Sequence, residues 1–367
     1  MERKLTSLNH SRRINCLQQS EISNASMADK IKVLLIEDSG FMRIFLSDLL
    51  RNDKDIEVMG TATNGLEGVE KAKALQPQVV ITDMVMPNYD GLYVVKTLMQ
   101  EHPLPIILLS SLDRTDPQIF DALKEGAFDF LDKPRDTAAS KGYVRLTQMV
   151  REASMTDFLK LRTRAKGRNT QVHTFEARLN YDVIVIGAST GGPGAVEHVV
   201  TNIPKNLSIP MIIAQHMPDR FIESFAVRLK EETGLSLSVA RDGESLLPNH
   251  VYLAPGTSNV RLKKSGATPV FKFVADQYRE FNCPSIDCLM ESVGEVYGSR
   301  AIGVVLTGMG KDGTNGLMKI KQAGGLTITQ DEATSVVYGM PKSAFESGAA
   351  SHRMSLQEIP NFIISAL

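Results

Sequence analysis

"VIVIGASTGGPGAVEHV", residues 183–199, decides how the second half of the chain is read. Val183–Ile186 is an apolar, β-branched run, which signals a buried strand. Gly187, Ser189, Gly191 and Gly192 follow as a tight small-residue turn, and Pro193 suits the first turn of a helix. Strand, turn and helix in that order can carry two chemistries. One is a G-x-S-x-G nucleophile elbow with Ser189 at its tip. The other is a glycine-rich phosphate cradle.

The cradle fits poorly. A dinucleotide site of the G-x-x-x-G-x-G type has Gly187 and Gly191, but Pro193 stands at the third glycine. The next apolar run, "IPMIIAQHMP", ends in His216, where a ribose-binding acid would be needed. Tyr338 and Lys342 imitate a dehydrogenase Y-x-x-x-K pair, yet Pro341 between them opposes a continuous helix.

The elbow needs a base, because a serine hydroxyl is a weak nucleophile until its proton is taken. Histidine serves best near neutral pH. His10 and His173 fall in polar segments, His102 in the first half of the chain, and His198 within the helix after Ser189. His216 ends the strand that follows the elbow unit and is favoured by position over His250, which sits in a turn before another strand. An acid must orient the histidine. "AIGVVLTGMGKDGTNGLMKI" offers Asp312 on a glycine turn after a third apolar run. Its G-x-G-x-x-G spacing is a weak phosphate signal, and Asp312 would repel phosphate; the alternative for Asp312 is a helix N-cap. Cys283 is the rival nucleophile, with a packing role as its simpler reading.

The surrounding composition is that of an ordinary globular chain. It has 367 residues, enough for about two domains. A formal charge of −1 gives no basic field for nucleic acid. No apolar run approaches the ~20 residues of a membrane span, so no membrane insertion is expected. Three cysteines without a CxxC pair argue against a disulfide framework and for a cytoplasmic setting. Residues 1–28 are polar and aperiodic, and are expected to form a disordered tail.

From residue 31 the first half alternates between short apolar runs and helix-length segments: "IKVLLIE", "IEVMGTA", "QVVITDM", "LPIILLSS" and "AFDFLDKP" are the runs. This pattern predicts a doubly wound parallel sheet with ligands at the strands' carboxyl ends. Those ends carry Glu37 and Asp38, then Asp83, Ser110 with Ser111, and Lys133. Clustered carboxylates are costly without a cation, and Mg²⁺ suits a few carboxylates plus water and phosphate. Solvated strand ends are the simpler reading of any one of these residues, but not of the set.

"IEDS", "ITDMVMPNYDG", "LLSS" and "DKP", in order, resemble the response-regulator receiver domain. The resemblance implies a flavodoxin-like fold with Asp83 as phosphoacceptor. It further implies Glu37, Asp38, Asp83 and the Val85 carbonyl as Mg²⁺ ligands, and Ser110, Phe130 and Lys133 as the switch residues. In one detail the pattern departs: Glu37 precedes Asp38, and Gly40 follows Ser39. "GASTGG", "AQHMP", "DGESLLPNHVYLAPG", "PSIDCLMESV", "LTGMGKDG" and "YGMPKSA" resemble the catalytic domain of chemotaxis protein-glutamate methylesterases, a Rossmann-like α/β domain. That resemblance implies a Ser189–His216–Asp312 triad, with Thr190 beside the nucleophile and the Met309 N–H as oxyanion donor. It also implies hydrolysis of glutamyl methyl esters and deamidation of glutamines on chemoreceptors, without a cofactor for the esterase step. A chemotaxis histidine kinase would be the phosphodonor. The expected organisation is a tail (1–28), a receiver (29–162), a linker (163–179) and a methylesterase domain (180–367). Two other classes compete: a hydrolase of another protein ester, and a signalling module on an inactive hydrolase fold.

Overall fold

A computed structural model of the chain describes residues 30–110, 118–133, 141–156, 181–266, 268–275 and 283–367. The expected tail and linker, and Ser111, lie outside these residues.

The first half contains β1 (Ile31–Ile36), α1 (Gly40–Arg51), β2 (Ile56–Ala62), α2 (Gly65–Leu75) and β3 (Val79–Asp83). It continues through α3 (Gly91–Glu101), β4 (Ile106–Ser110), α4 (Gln118–Lys124), β5 (Asp129–Asp132) and α5 (Lys141–Met155). The sheet is parallel, in the order β2-β1-β3-β4-β5. This is the flavodoxin-like order. β3 and β4 are buried along their whole length, which explains the apolar runs Val79–Ile81 and Ile106–Leu109 that precede their polar ends. Ser39, Asn64 and Asp90 cap α1, α2 and α3 with side-chain oxygens that accept from Met42, Glu67 and Tyr93 N–H groups. Ser39 and Asn64 come within three residues of a strand end, and Asp90 closes the longer loop after Asp83, so each helix starts at the carboxyl edge of the sheet.

The second half contains β6 (Val183–Ala188), α6 (Gly192–Thr201), β7 (Met211–Gln215), α7 (Asp219–Thr233), β8 (Leu237–Val239), β9 (Val251–Leu253), β10 (Asn259–Lys263) and β11 (Val270–Val274). Then come α8 (Ile286–Tyr297), β12 (Ala301–Val305), α9 (Thr314–Gln322), β13 (Leu326–Gln330), α10 (Met340–Glu346), β14 (His352–Met354) and α11 (Glu358–Ala366). Seven strands form one parallel sheet, β14-β13-β12-β6-β7-β9-β8. β10 and β11 depart from the β/α alternation and pair as an antiparallel ribbon outside that sheet. The chain leaves β6 for β7 on one side and returns to β12 on the other, so β6 is the switch point where ligands bind in such sheets.

One apolar cluster spans both halves. Phe120 of α4 stacks on Phe225 of α7 with ring centroids 5.4 Å apart. Phe130 of β5 meets Phe221 at 4.8 Å. Around these rings Arg228 pairs with Asp121 at 2.7 Å, Lys124 with Glu197 at 3.5 Å, and Arg220 with Asp132. Among the described residues no helix is long and apolar enough to cross a membrane.

Candidate active site

Ser189, His216 and Asp312 follow β6, β7 and β12, which are adjacent in the sheet. Parallel pairing of Ala188 with Gln215 brings the first two ends level, and the His216 N–H donates to the Ala188 carbonyl at 3.0 Å. Pairing of Val305 with Gly187 brings the β12 end to the other side of Ser189. His216 Nδ1 lies 3.2 Å from Ser189 Oγ, and His216 Nε2 lies 2.9 Å from Asp312 Oδ2. A carboxylate can only accept, so the neutral ring carries its proton on Nε2 and offers the Nδ1 lone pair to the serine hydroxyl.

The turn bearing Ser189 is tight, but Ser189 itself is not in the left-handed region. That conformation falls on Gly191, with φ +72°. A Cβ at Gly191 would meet Val336 Cβ at 2.5 Å. A Cβ at Gly308 would lie 2.7 Å from Ser189 Cβ. Only glycine lets the loop that bears Met309 and Asp312 come this close to the serine. Gln215, which sequence reasoning missed, is buried and donates from Nε2 to the Ser189 and His216 carbonyls, each at 3.0 Å. It locks the two strand ends together. Its only sequence signal is a polar residue closing a buried strand.

Asp312 is nearly inaccessible and densely bonded. Oδ2 accepts from His216 and from the Ile286 N–H at 2.9 Å. Oδ1 accepts from Asp287 N–H at 2.8 Å, Gly313 N–H at 3.0 Å and Ser285 Oγ–H at 3.3 Å. Burial alone would raise its pKa, but His216 and these N–H donors outweigh it and hold the carboxyl below the usual range. The N-cap of α9 is Gly313, not Asp312.

The rival residues lie elsewhere. His250 precedes β9, at the opposite sheet edge, where its ring nitrogens meet Ser236 and Ser238 hydroxyls at 2.8 Å each. His198 in α6 lines a cavity of about 390 Å³ between the halves, and burial pushes its pKa down. Cys283 is exposed and its thiol pKa is pushed up, by desolvation and then by Asp219, which disfavours the thiolate. Tyr338 lies before α10 and Lys342 within it, so they share no helix.

At the carboxyl edge of the first sheet, Lys133 Nζ lies 2.8 Å from Glu37 Oε2 and 2.7 Å from Asp83 Oδ2. Oxygens of Glu37, Asp38 and Asp83 lie within 4.8 Å of one another. Burial raises the pKa of Glu37 and of Asp83, with Lys133 opposing it in both. Three carboxylates face one ammonium, so the charge and oxygen-only donor set fit a hard divalent cation. The Val85 N–H donates to Asp83 Oδ1 at 3.3 Å. Ser110 is buried at the end of β4, beside Asp83 on β3. Phe130, two strands from Asp83, is buried against Phe221. The Thr190 side chain hydrogen-bonds to Asp129 of β5, so the first half of the chain touches the residue after the candidate nucleophile.

Residues 184–363 match the family model described as CheB methylesterase, and residues 33–145 match the response regulator receiver domain. A protein-glutamate methylesterase/protein-glutamine glutaminase of Thermotoga maritima is 37% identical, over 92% of this chain and 99% of its own length. One from Lawsonia intracellularis is 36% identical, over 92% of this chain and 99% of its own. The crystal structure of the Thermotoga maritima CheB methylesterase catalytic domain superposes with a TM-score of 0.50 at 39% identity, covering 52% of this chain and 100% of that one. The likeness to the whole-length relatives runs through both sheets, and the chain belongs to the protein-glutamate methylesterase/protein-glutamine glutaminase family, with a receiver domain ahead of a CheB methylesterase domain.

Proposed function

We propose that this chain hydrolyses glutamyl methyl esters, and deamidates glutamines, on chemoreceptors through an acyl-enzyme on Ser189, under control of phosphorylation at Asp83. The observation that carries the chemistry is the bonded line from Ser189 Oγ through His216 to Asp312, at 3.2 Å and 2.9 Å. Ser189 Oγ attacks the ester carbonyl carbon while its proton passes to His216 Nδ1. The ionised Asp312 accepts from Nε2–H and supports the imidazolium that forms. Backbone N–H groups near Thr190 and Met309 are the oxyanion donors in this reading. When the tetrahedral intermediate collapses, Nδ1 returns the proton to the departing methoxide, and methanol leaves. Water then attacks the acyl-enzyme with His216 again as base, releasing the glutamate carboxylate and Ser189. With glutamine the same steps expel ammonia. The esterase chemistry assigns no role to a metal.

In the receiver, Glu37, Asp38, Asp83 and the Val85 carbonyl would hold Mg²⁺, which when bound supplies charge neutralisation for phosphoryl transfer to Asp83. Lys133 and Ser110 would contact the phosphoryl oxygens. The donor would be a chemotaxis histidine kinase, and the setting the cytoplasm. The division into receiver (29–162), linker (163–179) and methylesterase (180–367) belongs to this reading. Control by coverage is supported by the Thr190–Asp129 contact and fits the 7% exposure of Ser189.

The deciding experiment measures methanol release from methylated receptor membranes and ammonia release from glutamine-bearing ones. Wild type should release both, and Ser189→Ala should lose on the order of 10⁴ or more in rate. Near-normal release by Ser189→Ala would eliminate the serine as nucleophile. Cys283→Ser should stay active; complete loss in a folded variant would revive the thiol.

A further inference from the structure

The "PSID" stretch, Pro284–Asp287, supplies no group to the reaction written above, yet it surrounds the acid of the triad. Ser285 is the N-cap of α8 and accepts from Cys288 N–H at 3.2 Å. The same hydroxyl donates to Asp312 Oδ1 at 3.3 Å. The first two N–H groups of α8, from Ile286 and Asp287, point at the two oxygens of Asp312, at 2.9 Å and 2.8 Å. These are the donors a helix leaves unpaired at its start.

The exchange is reciprocal. Asp287 sends its carboxylate back to the start of α9, the helix that follows Asp312. Its Oδ1 accepts from Gly316 N–H at 2.7 Å, and Oδ2 accepts from Asn315 Nδ2 at 2.7 Å. Each helix therefore receives, on its N-terminal donors, a carboxylate carried at the start of the other. Both acids are buried, 2% exposed each. Behind them, buried Asn259 accepts from Ser285 N–H through Oδ1 at 2.7 Å, tying the clasp to β10.

We infer that Ser285 and Asp287 are positioning residues for the hydrolysis: their clasp between α8 and α9 fixes the rotation of the Asp312 carboxylate and so the aim of His216 Nδ1 at Ser189. This deepens the triad reading and rests on it. The physical ground is that Asp312 sits on a glycine-rich loop between Gly308 and Gly313, which has little rigidity of its own. Without the clasp the carboxylate could turn off Nε2, and a small misplacement of a catalytic group costs up to about a hundredfold. Capping alone would be satisfied by any N-cap side chain; aiming Asp312 needs a hydroxyl donor at 285 and an anion at 287.

The test uses the full chain, phosphorylated by a small phosphodonor in Mg²⁺, and the variants Ser285→Ala, Ser285→Thr, Ser285→Asp, Asp287→Asn and Ser189→Ala. The readouts are kcat and KM for methanol release, and the rate of Ser189 labelling by a fluorophosphonate as a function of pH. Ser285→Ala and Asp287→Asn should lower kcat about ten- to a hundredfold with KM within about twofold. Ser285→Thr should restore most of the rate. Ser285→Asp caps the helix but places an anion against Asp312, and should not restore it. In Ser285→Ala the acid limb of labelling should move to lower pH, because a misaimed carboxylate supports the imidazolium less. Loss in KM alone, an unmoved acid limb, rescue by Ser285→Asp as good as by Ser285→Thr, or kcat within about twofold of wild type would each overturn the inference. Labelling amplitude separates misfolding from misaiming: unfolded protein lowers the amplitude, misaimed protein only the rate. Should Ser189→Ala keep its activity, the triad reading itself fails; a dead Ser189→Ala with unaffected Ser285 and Asp287 variants removes this inference alone.

Discussion

The ring of Phe130, at the end of the receiver sheet, meets the ring of Phe221 in α7 edge to face, with centroids 4.8 Å apart and planes at 73°. Phe120 stacks on Phe225 beside them, so an aromatic row joins β5 of the receiver to the helix that follows His216. In the proposed control by coverage this row belongs to the docked interface between the two halves. Phosphorylation can shift a docked-to-open balance only if it favours one state over the other.

Phe221→Leu keeps apolar volume but removes the aromatic pairing. Such a pair is worth about 0.5–1.5 kcal/mol, or a two- to tenfold shift in a docking equilibrium. The unphosphorylated variant should therefore hydrolyse ester two- to tenfold faster than wild type. A fragment beginning at residue 175 should be faster still, and indifferent to phosphodonor. Initial rates of methanol release compare the three; a folded fragment no faster than the unphosphorylated full chain would rule out inhibition by coverage.

Asp83→Asn preserves the shape of the acceptor but cannot form an acyl phosphate. It should take up no label from a small phosphodonor in Mg²⁺ and show no activation, while its basal ester hydrolysis persists. Label remaining at the wild-type level would exclude Asp83 as the acceptor. Removing Mg²⁺ should stop labelling of wild type to the same extent.

Asp312→Asn leaves the side chain in place but replaces an acceptor-only carboxylate with an amide that cannot neutralise the imidazolium. The loss in kcat should approach about 10⁴, as for other triad aspartates. Ser189 labelling by a fluorophosphonate should slow in parallel. A loss below about tenfold would assign Asp312 to local structure instead.

One buried acid, Asp129, and one half-buried acid, Glu152, make the stability of the receiver side sensitive to pH. Burial raises Asp129 to about 6, and burial together with the Asp129 charge raises Glu152 in α5 to about 8. Raised carboxyls stay protonated in the native state where the unfolded chain has already released its protons, so stability falls as pH rises. That stability is fully present below the ordinary carboxyl values of 3.8 and 4.5, and is lost progressively as pH rises through about 6 and about 8. Glu152→Gln removes the larger contribution. Its melting temperature should fall less than that of wild type between pH 5 and pH 8.5. Parallel melting curves across that range would contradict the buried-acid account.

The sequence alone determined the two parallel-sheet α/β units, because apolar runs such as Val183–Ile186 and Ile106–Leu109 are long enough and β-branched enough to be buried strands, and the segments between them cap as helices. It also determined which residues stand at strand ends, since Asp83, Ser110 and Ser189 each interrupt or follow an apolar run in a fixed position. Pairing across the sheet was not in it. His216 ends a strand and His250 precedes one, which favours His216 by position, and the parallel register, which brings Ala188 level with Gln215 and Met211 level with Val251, sends one to the serine and the other to the opposite end of the strands. Asp312 keeps a helix N-cap as its alternative in the sequence; in the structure the start of α8, 26 residues earlier, holds its carboxylate. Hydrogen bonds between segments this far apart leave no periodic trace in the chain, because their donors are backbone N–H groups that every residue but proline possesses. The aromatic row from Phe120 to Phe225 escaped for a related reason: each ring reads as core in its own unit, and only the packing of the two units makes one core of both.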